Sequence, residues 1–100
     1  MTSKRLRAVL FTKENCGPCT KTKEFIYDLL EHNLTLVETL SILKVENHSA
    51  LREAYELNLF PTLLIVENAD SPPLEKIVGG AAIRDCIEEK LVHIYRENNA

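Results

Sequence analysis

The stretch "LRAVLFTKENCGPCTK", Leu6–Lys21, decides how the chain is read. Its first part, Leu6–Thr12, is apolar and rich in strand formers, so it reads as a buried β-strand. Two cysteines follow at once, Cys16 and Cys19, with Gly17 and Pro18 between them. From Cys16 to about His32 the pattern turns helical: Phe25, Ile26, Leu29 and Leu30 form an apolar stripe, and Tyr27 is expected to widen it. Asn15 is placed to cap this helix, and Pro18 suits its first turn.

A cysteine at the junction of strand and helix has a particular chemistry. Free amide N–H groups and the positive end of the helix dipole favour an anion there. The thiol of Cys16 is therefore expected to ionise more readily than a free one. Cys19 lies one turn further in, within reach of the first sulfur and more buried. That asymmetry suits Cys16 to attack a disulfide and Cys19 to resolve the mixed disulfide. A zinc site would need about four ligands. No second Cys-x-x-Cys is present, and His32, His48 and His93 are scattered, so no metal is expected. Two inert core cysteines would want apolar neighbours, and here the neighbours are Lys, Glu, Asn and Thr.

Outward from the motif, residues 33 to 45 contain a second strand. Asn47 and Ser49 are candidate caps for a short helix over about Ala50–Leu57. Thr62–Glu67 and Leu74–Val78 read as a hairpin across the turn-forming Asn68–Pro73. Gly79 and Gly80 break the chain, and a last helix covers about Ile83–Arg96, with Ile83, Ile87, Leu91, Ile94 and Tyr95 on one face. The order is β-α-β-α-β-β-α. The expected fold is α/β: a central four-stranded mixed sheet flanked by three helices, in a single domain over residues 1–100.

Bulk properties narrow the function. The chain has 100 residues, 45% hydrophobic and 27% charged, with net charge −3, which gives no general attraction to nucleic acid or membrane. Positive charge is concentrated early: Lys4, Arg5, Arg7, Lys13, Lys21 and Lys23 stand against Glu14 alone in the first 23 residues. The apolar run Ala8–Phe11 is too short for a secretion signal, and no stretch suits a membrane span. Three cysteines are too few and odd in number for a disulfide framework, so the expected compartment is the cytoplasm. The third, Cys86, sits beside Ile83 and Ile87 and is expected to be a small buried core residue.

At this point the sequence resembles the thioredoxin family. "CGPC", Cys16–Cys19, matches that family's active-site tetrapeptide. "FPTLLIV", Phe60–Val66, resembles its cis-proline loop and the strand after it. "KIVGG", Lys76–Gly80, resembles the strand and glycine turn that complete its substrate groove. The resemblance implies a cis bond before Pro61 and a docking groove made by Gly17, Pro18, Phe60, Pro61, Thr62 and Gly79. It implies a disulfide reductase with no cofactor beyond the Cys16–Cys19 disulfide. Its expected partners are a thioredoxin reductase or another reductant, and disulfide-containing clients such as ribonucleotide reductase. The chain is expected to act as a monomer.

Three positions depart from the family. Asn15 and Thr12 stand where thioredoxins usually carry Trp. Leu10 stands where they carry a buried aspartate associated with the proton of the second cysteine. The compact length and "FTKENC" are similar to glutaredoxins, in which the lysine matching Lys13 contacts glutathione. Ala81 and Ala82, however, follow the glycine pair where glutaredoxins commonly place an acid. Two alternatives stay open: a glutathione-dependent glutaredoxin, and a thioredoxin-like binding module within a larger complex.

Overall fold

In the computed structural model, residues 6–32, 37–67 and 72–98 are described. Strand β1 (Leu6–Thr12) leads into helix α1 (Gly17–His32) and strand β2 (Val37–Lys44). A 3-10 turn (Val45–Asn47) and helix α2 (Ser49–Ala54) follow. Strands β3 (Thr62–Val66) and β4 (Glu75–Val78) and helix α3 (Gly80–Asn98) complete the order. The sheet runs β2-β1-β3-β4, with β1 parallel to β2 and antiparallel to β3. The expected architecture of three helices and a four-stranded mixed sheet is the one observed.

Period-two alternation explains why both faces of the sheet are covered. Leu6, Ala8 and Leu10 of β1 and Leu63 and Ile65 of β3 pack with Ile26 of α1 and Ile83, Ile87 and Leu91 of α3. The intervening Phe11, Leu64 and Val66 face the other way, against Val45 and Leu57, with Leu51, Tyr55 and Phe60 at the edge. Tyr55 meets Phe11 with ring centroids 6.3 Å apart. Burying one Ile or Leu stabilises by about 1.5–3 kcal/mol. A partly exposed surface ion pair such as Lys90–Glu75, at 3.2 Å, contributes about 0–1 kcal/mol. The isoleucine and leucine stripe therefore docks α3, and the ion pair is secondary.

Several local readings need correction. Tyr27 is 54% exposed and does not widen the stripe of α1. The inward position on that helix is taken instead by Thr22, which is fully buried. Neither Asn47 nor Ser49 caps α2. The 3-10 turn absorbs Asn47, and the cap position falls on His48, whose side chain makes no capping bond. That helix stops at Ala54, short of Leu57, because Glu56 turns into the left-handed region at φ 53°. Helix α3 starts three residues earlier than read, at Gly80. Gly79 alone makes the break, at φ 95°, and its carbonyl accepts the Ile83 N–H at 3.0 Å. Cys86 is a free thiol and only partly buried. The buried line of α3 repeats every four residues through Ile83, Ile87 and Leu91, which leaves Cys86 on its flank. The turn residues 68–71 and the side chains of Leu30, Ile94 and Tyr95 lie outside the described residues.

Candidate active site

Helix α1 begins directly after Cys16, whose carbonyl accepts the N–H of Thr20 at 3.3 Å. Cys16, not Asn15, is thus the capping residue, and its sulfur does the capping: the backbone N–H of Cys19 donates to Cys16 Sγ at 3.1 Å. Asn15 is one residue too early. It bends the chain at φ 55°, a left-handed conformation that Asn tolerates better than most residues. The two cysteines, with Cα atoms 5.2 Å apart, form a disulfide. Cys16 is partly exposed, whereas Cys19 is 4% exposed, the asymmetry expected of an attacking and a resolving sulfur.

The approach to Cys16 is braced from behind. The N–H of Glu14 donates to the Glu46 carboxylate at 2.7 Å, tying the loop after β1 to the 3-10 turn. That bond holds the Glu46 carboxyl below its ordinary range, helped by its own backbone N–H and by Lys44 and Lys13 nearby. Leu10 is fully buried in the sheet, opposite Ile42 on β2 and Leu63 on β3. The position that thioredoxins give to an aspartate is thus walled by hydrocarbon here. A hollow of about 740 Å³ opens beside both sulfurs, lined in part by Thr12, Lys13, Thr20, Lys23, Ile42 and Lys44.

On the other side of the motif, a groove of about 480 Å³ brings Gly17 and Pro18 together with Phe60. Lys21, Gly80, Ala81 and Arg84 complete its lining. The Phe60–Pro61 bond is cis. The carbonyl of Pro61 accepts the N–H of Gly79 at 2.8 Å, so the proline loop and the glycine turn meet as the resemblance implied. A side chain at residue 79 would be strained in its left-handed conformation. Thr62 is placed differently from expectation: it is buried, and its hydroxyl donates to the Leu59 carbonyl at 2.6 Å. Its side chain supports the loop from inside and does not line the groove.

Sequence reasoning missed further supports. Arg52 donates through Nε to the Leu57 carbonyl at 3.2 Å and lays its guanidinium 5.7 Å from the centre of the Phe60 ring. Lys76 Nζ donates to the Tyr55 and Glu56 carbonyls at 2.9 and 3.3 Å, closing the end of α2 against β4. Both are surface cations in sequence, and nothing in their spacing marks them. The glycine pair did carry a signal for Gly80: a Cβ there would lie 2.8 Å from Thr22 Oγ1, so α3 approaches α1 closely at this point. Among the described residues no three His, Cys, Asp or Glu side chains come together as metal ligands. No helix among them is long and apolar enough to cross a membrane.

Comparison with known proteins agrees with this geometry. The family model for thioredoxin matches residues 1–92. A thioredoxin of Trypanosoma brucei brucei has a TM-score of 0.77 at 22% identity, over 96% of this chain and 80% of that one. A thioredoxin of Fasciola hepatica gives 0.74 at 20% identity, over 91% and 82%. A thioredoxin of Trichomonas vaginalis gives 0.72 at 24% identity, over 89% and 78%. At these identities the likeness establishes the fold. No curated protein sequence matches the chain.

Proposed function

The chain belongs to the thioredoxin family, and from that premise we propose that it reduces disulfides in partner proteins through its Cys16–Cys19 dithiol. The reading rests above all on one observation: the Cys16 sulfur sits at the start of α1 and accepts the Cys19 N–H. An anionic sulfur is stabilised there by the helix terminus.

In the proposed cycle the Cys16 thiolate attacks one sulfur of the substrate disulfide. A Cys16–substrate bond forms, the substrate S–S bond breaks, and the second substrate sulfur leaves as a thiolate that takes up a proton. Cys19 then loses its proton and attacks Cys16 Sγ. The Cys16–Cys19 disulfide closes, and the first substrate sulfur leaves and is protonated. Two electrons and two protons pass to the substrate. With Leu10 in place of an acid, the Cys19 proton goes to water through the hollow lined by Thr12, Thr20 and Lys44.

Gly17, Pro18 and Phe60 form the docking surface, and the loop of Pro61, Thr62 and Gly79 holds it in position. The oxidised pair is recharged by a dithiol donor, with a thioredoxin reductase as the expected one. Ribonucleotide reductase is a client suggested by family resemblance. A cytoplasmic, monomeric protein fits this reading, and the chain's three cysteines favour a reducing compartment.

Trapping tests the assignment. The Cys19→Ser variant, mixed with a disulfide-bridged peptide, is expected to accumulate an adduct on Cys16, because the resolving step is removed. The Cys16→Ser variant is expected to form none. Equal adducts on Cys19 in that variant would reverse the roles, and no adduct in either would end the proposal. A glutathione-dependent reading keeps one supporting observation, that Lys13 lines the same hollow as both sulfurs. Robust turnover in an assay coupled to glutathione and its reductase would favour it.

A further inference from the structure

The cations around the disulfide come from four separate parts of the chain. Lys13 lies in the loop after β1, Lys21 and Lys23 on α1, Lys44 at the end of β2, and Arg84 near the start of α3. All five are exposed. Folding gathers them into the two hollows that flank the Cys16 turn: Lys13, Lys23 and Lys44 in one, Lys21 and Arg84 in the other. Of the acids, Glu14 lines the first hollow, and the Glu46 carboxylate is engaged by the Glu14 N–H. The groove beside Phe60 has no acid in its lining. Asp85, the neighbour of Arg84, turns to a different hollow with Glu88 and Glu89.

In the lining of the two hollows five positive charges stand against one negative, Glu14, in a chain whose net charge is −3. A solvated charge run would be contiguous in sequence, whereas this cluster is assembled by the fold around the reactive bond. Single surface pairs contribute little. Several like charges in a concave site act together and raise the encounter rate of an oppositely charged partner. The groove also offers backbone. Among the described residues, neither the N–H nor the C=O of Phe60 is paired with other backbone, so an extended segment can add to it as a strand.

We infer that the groove selects by charge, taking extended polypeptide segments with acidic side chains beside the disulfide cysteine. This rests on the disulfide-reductase reading. Such a segment pairs with Phe60, places its disulfide at Cys16, and sets its carboxylates between the Lys21–Arg84 rim and the Lys13–Lys23–Lys44 rim.

Three peptides of equal length test it, each with one disulfide whose cysteines are flanked by Glu, Gln or Lys. The reduced chain is mixed with each by stopped flow at low and at high salt. At low salt the Glu peptide is expected to react about 10-fold faster than the Lys peptide, with Gln between, and high salt to shrink the gap to about 2-fold. The Lys21→Glu/Arg84→Glu variant is expected to reverse the order of the Glu and Lys peptides. Lys90→Gln, away from both hollows, is expected to leave the order intact. Glutathione disulfide, acidic but too short to add a strand, is expected to lag behind the Glu peptide, and parity would overturn the extended occupant. Equal rates for all three peptides, or an order indifferent to the double reversal, would overturn charge selection while leaving the reductase standing. No reduction of any peptide would overturn the reductase reading and this inference with it.

Discussion

The backbone N–H of Cys19 donates to the sulfur of Cys16 across 3.1 Å, so the sulfur proposed to attack substrate also caps its own helix. A serine hydroxyl at residue 16 can accept the same bond, and a methyl group cannot. Under reducing conditions Cys16→Ala is expected to be about 1 kcal/mol less stable than Cys16→Ser. Denaturant unfolding of the two variants measures the difference, and equal midpoints would separate the cap from stability.

Acid sensitivity is expected to run through Glu46. Its carboxyl is held below the ordinary value of 4.5, chiefly by the Glu14 N–H. A carboxyl depressed in the fold stabilises it fully above the ordinary value, and that contribution is lost as pH falls through the lower folded value. Glu46→Gln is therefore expected to be less stable than the parent at neutral pH and to converge with it in acid. Unfolding curves taken at neutral pH and at about pH 3 measure this convergence. A gap that stays constant would show that the Glu14–Glu46 bond does not set the dependence.

The contact between α1 and α3 is expected to be tight at one point. A Cβ on residue 80 would lie 2.8 Å from Thr22 Oγ1, and Thr22 is fully buried and has little room to move. Overpacking costs about 1–3 kcal/mol, which outweighs the up to ~1 kcal/mol gained by removing a helical glycine. Gly80→Ala is expected to destabilise, and Thr22→Ala in the same chain to relieve it. A double-mutant cycle from chemical denaturation is expected to give a coupling of about 1 kcal/mol. Additive effects would contradict the contact.

The hydroxyl of Thr22 has no hydrogen-bond partner in its buried position. Thr22→Val keeps the branched shape and removes an unsatisfied polar atom. It is expected to stabilise the fold by about 1 kcal/mol. A thermal midpoint at or below the parent's would argue against an orphaned hydroxyl.

Restoring the aspartate of other thioredoxins at residue 10 is expected to fail. The site is enclosed, and its cross-strand neighbours Ile42 and Leu63 offer neither charge nor hydrogen bond. An unpaired buried carboxylate costs about 3–5 kcal/mol. Leu10→Asp is expected to unfold at a much lower denaturant concentration, and a midpoint within experimental error of the parent's would refute the enclosure.

Residues 6–12 are legible as a strand because both faces of the sheet are covered, so every residue of the run but the exposed Arg7 is apolar or β-branched. The same holds for Thr62–Val66, and the stripe of Ile83, Ile87 and Leu91 marks α3 as plainly. The cysteine pair is legible as a site because the strand before it and the helix after it are. Legibility ends where tertiary contacts decide. The sulfur takes the capping place from Asn15 because the helix starts one residue later than a polar cap would suggest. Nothing in the sequence around Thr22 marks it as buried, and it becomes so where α3 approaches at Gly80. Lys44 and Arg84 lie 40 residues apart in the chain, and only the sheet order and the docking of α3 bring both near Cys16.

The direct test of the central claim is an ultraviolet titration of the reduced protein, following thiolate absorbance against pH, with Cys19→Ser isolating the first sulfur. The account predicts that the Cys16 thiolate forms at or below about pH 7, well ahead of a free thiol. A sulfur that stays protonated up to about pH 9 would contradict it, because the start of α1 would then confer no activation on the residue it holds.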